Sequence, residues 1–426
     1  MSKKESTAQC ASDATIQEIF EGGIVPEIRN EFEDLFGVAL MVPMGNPAEP
    51  ECHWGAPCLW WGLNSVAKSQ RIKQAAAKYD LPLGTTYPSQ RQPEEFGDLA
   101  VVIWNENTNQ DELRTACMLH QINKLNACGK GIWFVDEVGD ALRATQGALL
   151  SAVLEKMLGS TPIHPQIRIM MAANPPSFST NGHELASALS SRSMHFYVHP
   201  PTSDQFNAHL LQDGAPPVKA GVEAAMDKVR KEWPSEWAKT KGLLMAYHDR
   251  TKGSTLHRQP MPDHPQSSYC WPSPRMWETA ARCWATTQIL KPPGYAKLCH
   301  LFVEGAVGIG AATEFVEFAA NADLPEPKEF LAKGKIDKKR LDRTLAMYGA
   351  ATTYVMGLTN PKEQLEYGAL LWGKLDEAVE ESLSDIAYKY AEALLRNNLG
   401  GSRSKLQAAS DPVILKLGLS RIAEKI

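Results

Sequence analysis

Apolar residues fall along this chain in two regimes. Up to about residue 203 they gather in short unbroken runs, each closing on a polar residue. Cys58-Leu59-Trp60-Trp61 leads into Gly62, Gly131-Ile132-Trp133-Phe134-Val135 closes on Asp136-Glu137, and Ile167 to Ala173 ends at Asn174 before Pro175 and Pro176 stop it. Runs of this length without polar alternation predict strands buried on both faces. Between the second and third runs, Leu142, Leu149, Leu150, Val153, Leu154 and Met157 recur at helical spacing from Ala141 to Met157. That makes the unit strand-helix-strand, which requires a parallel sheet and predicts an α/β fold. A further short strand is expected over Leu81 to Tyr87, then a polar loop over Gln90 to Leu99 leading into Val101 to Trp104. The turn-rich segment from Asn105 to Asp111 leaves room for an insertion before a helix over Glu112 to Leu125 that ends near Gly129.

From Asp204 onward the strand signal fades and helical spacing takes over, at Val218 to Trp233, Pro272 to Leu290 and Lys297 to Ala320. Thr251 to Ser273, rich in Pro, His and Ser, reads as a long loop. Lys335 to Leu358, Pro361 to Leu395 and Pro412 to Ile422 are again helical in spacing. The division this suggests is a flexible tail at 1–14, an α/β core at 15–203, a helical domain at 204–325 and a C-terminal helical extension at 326–426. The core would open with an amphipathic helix from Ile16 to Phe36 that stops at Gly37. The extension is expected to pack on its own core or on a neighbouring subunit.

Composition narrows the class. At 426 residues the chain suggests two or three domains, and 43% hydrophobic content is ordinary for a globular protein. Lysine and arginine (44) against aspartate and glutamate (49) leave a net charge of −5, without the basic footprint of a dedicated nucleic-acid binder. No run of about 18 apolar residues suggests membrane insertion, and a cytoplasmic location is expected. The eight cysteines carry no CxxC pair, as suits reduced thiols. Cys52, His53 and Cys58 are the one cluster with metal-ligand chemistry, but the spacing is irregular and no fourth ligand is apparent. His183, beside Gly182, reads as a surface loop residue.

The candidate chemistry sits at the ends of the predicted strands. Gly62-Leu63-Asn64-Ser65-Val66-Ala67-Lys68-Ser69 fits GxxxxGK[ST] everywhere except at Ala67. In such a loop, backbone N–H groups and a helix N-terminus converge on phosphate oxygens, Lys68 neutralises the outer phosphates and Ser69 completes a metal shell. Gln70 continues the contact surface into the helix. Ala67 either occupies an ordinary backbone region or strains the loop. Downstream, Asp136 is the expected magnesium ligand with Ser69, Glu137 the residue that polarises water, and Asn174 the amide that orients it.

With these pieces in order, the chain resembles an AAA+ ATPase of the MoxR-like, helix-2-insert branch over about residues 16 to 325. The resemblance rests on the phosphate loop, the Asp136-Glu137 strand end, the helix Leu149-Leu150-Ser151-Ala152-Val153-Leu154-Glu155 and Ala172-Ala173-Asn174-Pro175. Leu185-Ala186-Ser187-Ala188-Leu189-Ser190-Ser191-Arg192 is similar to the family segment ending in an arginine finger, and Trp271-Pro272-Ser273-Pro274-Arg275 to its sensor-2 lid motif. The resemblance implies a P-loop AAA+ core that takes ATP and Mg²⁺, with Arg192 serving a neighbouring subunit and Arg275 reaching the outer phosphate. It implies a homo-oligomer, a hexameric ring, acting by remodelling or chaperone-like work on a protein partner, with von Willebrand factor A proteins as frequent associates. Glu155 could be a further intersubunit acid or a solvated helix glutamate. Two other functions fit parts of the pattern: a weakly hydrolysing nucleotide-bound scaffold, and a nucleic-acid-dependent motor, which the acidic balance disfavours.

Overall fold

A computed structural model describes residues 25–178, 184–211, 220–261, 264–401 and 404–423. His183, the proposed tail at 1–14 and the first part of the helix proposed from Ile16 lie outside the described residues. The chain divides into two compact units, one formed by residues up to Val229 with Leu256–Thr313, the other by Arg230–Thr255 with residues from Glu314 onward.

The first unit is built on strands β1 (Glu27–Ile28), β2 (Cys58–Trp61), β3 (Leu83–Thr86), β4 (Asp98–Asn105), β5 (Gln110–Cys117), β6 (Gly131–Val135), β7 (Met157–Leu158), β8 (Thr161–Pro162), β9 (Ile167–Ala173) and β10 (Met194–Val198). Six of them form one sheet in the order β1-β10-β2-β9-β6-β3, and every pairing in it is parallel. The α/β parallel architecture expected from the unbroken apolar runs is therefore present. Every residue of β2, β6, β9 and β10 is buried, as sheets covered on both faces require. One face packs Leu59, Trp61, Trp133, Ile169 and Met171 in a common core with Leu149 and Val153 of the helix Arg143–Leu154. On the other face Trp60 meets Phe32 and Phe196.

This strand order brings the carboxyl ends of β2, β9 and β6 side by side, although β3 and its flanking helices separate β2 from β6 in sequence. A cleft outside those ends is where open α/β sheets place ligands.

Three local expectations are corrected. The segment read as the start of a helix at Glu112 is strand β5, paired antiparallel with β4 from Asp98↔Cys117 to Asn105↔Gln110, and the helix that follows is His120–Cys128. Cross-strand partners outside the sequence window decide a two-stranded ribbon of this kind, so local helical spacing misleads. The segment expected to be a polar loop from Gln90 to Leu99 is two short 3₁₀ turns and the first residues of β4. Near the start, Gly37 does not end a helix: Phe32–Leu40 runs through it. A β-carbon there would lie 2.0 Å from Tyr79 Oη, so the glycine serves close packing.

The second unit is helical and has its own core. Trp372, Tyr348, Leu371, Leu375, Leu394 and Val413 are buried together, drawn from the helices Leu341–Met356, Pro361–Glu380, Ser384–Arg396 and Gln407–Leu417. Trp372 Nε1 donates to Leu399 O at 2.7 Å and Tyr348 Oη to Lys374 O at 2.6 Å, so the large rings are buried without orphaning their polar ends. No helix among the described residues is long and apolar enough to cross a membrane.

Arg168 of β9 is fully buried, donating through Nε to Leu40 O at 3.2 Å and through Nη1 to Gln166 O at 2.5 Å. Its aliphatic stem lies against Gly55, which has φ +96° and would place a β-carbon 2.4 Å from Arg168 Cγ. Gly55→Ala combines left-handed backbone strain with overpacking and is expected to cost about 2–4 kcal/mol. Urea denaturation of the two proteins, compared at equal m-value, measures it.

Candidate functional site

The phosphate-loop segment leaves the buried end of β2 and enters the helix Lys68–Lys78 at Ala67. Gly62 is needed for space: a β-carbon would stand 2.9 Å from Val198 O and 3.2 Å from Lys68 Cδ. Val66 is buried and fastens the loop, whereas Asn64, Ser65, Ala67 and Gln70 are exposed along its rim. Ser65 (φ 65°) and Ala67 (φ 64°, ψ 24°) are both left-handed, so the question the sequence leaves open at Ala67 is answered by strain. Residues held in that region cluster at functional sites because the surrounding structure over-determines them.

Lys68 is 8% exposed and its ammonium is held on three sides, donating to Gly62 O at 2.7 Å, Leu63 O at 2.9 Å and Asn174 Oδ1 at 2.9 Å. Burial pulls its pKa down to about 8, although the carboxylates of Asp136 and Glu137 pull the other way. The bond to Asn174 ties the tip of β9 to the loop of β2. Ser69 Oγ donates to Asp136 Oδ2 at 2.6 Å, which ties the same helix to the tip of β6. Asp136 is buried, and its Oδ1 accepts from the Glu137 backbone N–H at 3.0 Å. A hydroxyl and a carboxylate meeting beside a sequestered ammonium form a site able to take a metal-bound polyphosphate.

Glu137, the residue after Asp136, sits in a left-handed conformation (φ 57°). Its carboxyl is raised above the usual range, first by burial and then by Asp136 and Asp140, while a hydrogen bond from Ser89 opposes the rise. Ser89, on the 3₁₀ turn after β3, and Tyr87, whose pKa is raised by burial and by the same two carboxylates, complete the surroundings of Glu137. Neither stands out in the sequence. They follow β3, which is brought beside β6 only by the sheet.

Arg192 follows the short helix Ser187–Ser190. It is partly buried, and its Nη1 donates to Ala188 O, while its Nε, shielded from solvent, has no hydrogen-bond partner among the described residues. Burial lowers its pKa and so does the charge of Arg275, which places the two guanidinium groups in one neighbourhood. Arg275 is exposed on the first turn of Pro274–Leu290, whose N-cap Ser273 accepts from Met276 N at 3.3 Å. Glu155 is exposed at the end of its helix. Of the cluster Cys52, His53 and Cys58, the last is sealed within β2, its thiol pushed far up by burial and donating to Ala56 O. No group of three or more His, Cys, Asp or Glu side chains able to hold a metal occurs among the described residues.

Ala67→Gly keeps the loop geometry and removes the steric cost of a left-handed alanine. It is expected to stabilise the folded protein by about 1 kcal/mol, less the added freedom of the unfolded chain. Thermal unfolding checks this, with a raised midpoint expected.

No protein-family model matches this chain, and no curated protein matches it. Among solved structures, the chain is similar to one described as a "putative ATPase" from Cytophaga hutchinsonii. That likeness covers 79% of this chain and 97% of the other, with 14% sequence identity and a TM-score of 0.41.

Proposed function

We propose that this chain is an ATP hydrolase of the AAA+ type it resembles, using Mg²⁺ and coupling hydrolysis to remodelling of a protein partner. The observation that carries the reading is the 2.6 Å hydrogen bond from Ser69 to Asp136, formed beside the buried Lys68 ammonium. Magnesium held by Ser69 Oγ and Asp136 would offset negative charge on the outer phosphates and act as a Lewis acid. Lys68 exchanges its bonds to Gly62 O and Leu63 O for phosphate oxygens, and the backbone N–H groups from Asn64 to Gln70 line the same anion. Glu137 accepts a proton from the attacking water, and its raised pKa makes it a better base than an ordinary carboxylate. Asn174, already within hydrogen-bond reach of Lys68, fixes the angle of that water.

Arg275 supplies positive charge in the same subunit. Arg192, whose Nε has no hydrogen-bond partner among the described residues, is offered to the site of a neighbouring copy. A site completed between copies demands a closed assembly, and the hexameric ring is what the family resemblance implies. The partner is a protein, with a von Willebrand factor A domain as the family precedent. Two observations favour a weaker hydrolase acting as a nucleotide-bound scaffold: the strained Ala67 and the two carbonyl bonds that Lys68 must give up both raise the cost of productive binding.

Steady-state phosphate release separates these readings. Glu137→Gln is expected to lose at least about 100-fold in turnover while still binding a fluorescent ATP analogue, and Lys68→Ala to lose the binding itself. Equally negligible release from the wild type and Glu137→Gln would establish the scaffold instead.

Affinity should also depend on pH in a defined direction. Lys68 in the free protein loses its proton as pH rises through about 8, and phosphate contact raises that pKa. Binding below pH 8 therefore needs no proton uptake at Lys68, and binding above it does. The dissociation constant is expected to rise by up to about tenfold per pH unit above 8, with calorimetry in buffers of different ionisation heat recording proton uptake at pH 9 and none from Lys68 at pH 7.

A further inference from the structure

Behind the charged residues lies a chain of buried polar groups that none of the roles above uses. Trp61, the last residue of β2 before the phosphate loop, donates from Nε1 to His195 Nδ1 at 2.9 Å. An indole can only donate, so Nδ1 is the acceptor and the imidazole proton sits on Nε2. Nε2 then donates to Ser190 O, 3.1 Å away. Ser190 closes the short helix before Arg192, and its hydroxyl donates to Tyr269 O, on the segment leading to Arg275. At the other end of that helix, Ala186 N–H donates to Gln146 Oε1 at 2.7 Å, and Gln146 Nε2 donates to Ala141 O at 3.1 Å, just after the Glu137 turn. Gln146 and His195 are both 0% exposed.

We propose that His195 and Gln146 are positioning residues that hold the Ser187–Arg192 turn in register with both the phosphate-loop strand and the Glu137 tip, so that Arg192 is presented at a fixed angle to a neighbouring copy. The inference rests on the shared-site reading given above. Each residue uses one nitrogen to donate and one nitrogen or oxygen to accept, and both bonds go to backbone or indole groups of different site elements. A side chain buried only for packing has no need of such a pair. His195 is also held neutral across the assay range, its pKa pulled down to about 4 by burial, so its two bonds keep one direction at all working pH values. Displacing Arg192 by an ångström affects only the site it serves, and errors of that size cost on the order of 100-fold in rate.

The test is complementation in mixed assemblies, read as phosphate release. Arg192→Ala with Glu137→Gln is the control, because one subunit keeps its own site and the other keeps its arginine. If that pair regains no activity, the shared-site reading fails. If it regains activity, His195→Phe is expected to behave like Arg192→Ala: about 30-fold slower alone, unchanged in ATP-analogue affinity, restored by Glu137→Gln subunits and not by Arg192→Ala subunits. His195→Gln, which keeps a donor and an acceptor, should stay within about threefold of wild type. Gln146→Leu is read in the same way and supplies the answer should His195→Phe fail to fold. Unchanged turnover in a folded variant, nucleotide affinity falling in step with turnover, or failure to be restored by Glu137→Gln subunits each overturns the inference.

Discussion

The hydrogen bond between Ser69 and Asp136 is the contact on which the rest of the site depends. It joins the first turn of one helix to the tip of a strand far along the chain, and it can form only if β2, β9 and β6 lie side by side with their carboxyl ends level. Parallel pairing enforces that level. Cys58↔Met170 and Phe134↔Met170 set β2 and β6 against the same residue of β9, so the loop after Trp61 and the carboxylate after Val135 emerge at one edge. A slip of one residue in either register would exchange the side chains packed on the two covered faces and move Asp136 away from Ser69.

The same sheet gives the site its electrostatics. Because β2, β6 and β9 are wholly buried, the groups at their ends sit at a boundary between a dry core and the surface. Burial drives Lys68 down and Glu137 up, toward one another on the pH scale, and each remains within the field of the other. A lysine alone in that position would be costly to keep charged. Its three oxygen partners and the nearby carboxylates hold it in place, and those carbonyl oxygens are acceptors that an incoming phosphate can replace. Strain at Ser65, Ala67 and Glu137 lies at this same boundary, where close packing behind the site offsets it.

Around this centre, the arginine-bearing turn is oriented from below by buried amide, imidazole and indole groups. They join Ala141, Ala186, Ser190 and Trp61, residues from separate elements of one unit. Small errors in core packing are thereby passed on to the placement of Arg192, whose shielded Nε has no hydrogen-bond partner among the described residues. The exposed β4–β5 ribbon shows the opposite regime. Its strands carry Val102, Trp104 and Leu113 largely open to solvent, and its pairing is set by its own register and not by a covering layer.

What the sequence by itself determined is what short-range chemistry controls. Runs such as Gly131 to Val135 and Ile167 to Ala173 are too apolar and too short for anything but buried strands, and polar residues or prolines end them. The parallel α/β architecture and the residues at the strand ends were therefore legible from local pattern alone. The left-handed conformation of Ala67 was not, because the alanine side chain permits an ordinary conformation and only closure of the loop around Lys68 removes that choice. Nor was strand β5 legible, since Glu112 to Ala116 has acceptable helical spacing and is extended only because β4 supplies its hydrogen bonds. Ser89, Gln146 and His195 are unremarkable letters in the chain. Their importance to the site arises from partners 40 to 134 residues away, beside shorter links from Gln146 to Ala141 and from His195 to Ser190, and the long-range bonds are specified only when the sheet has assembled.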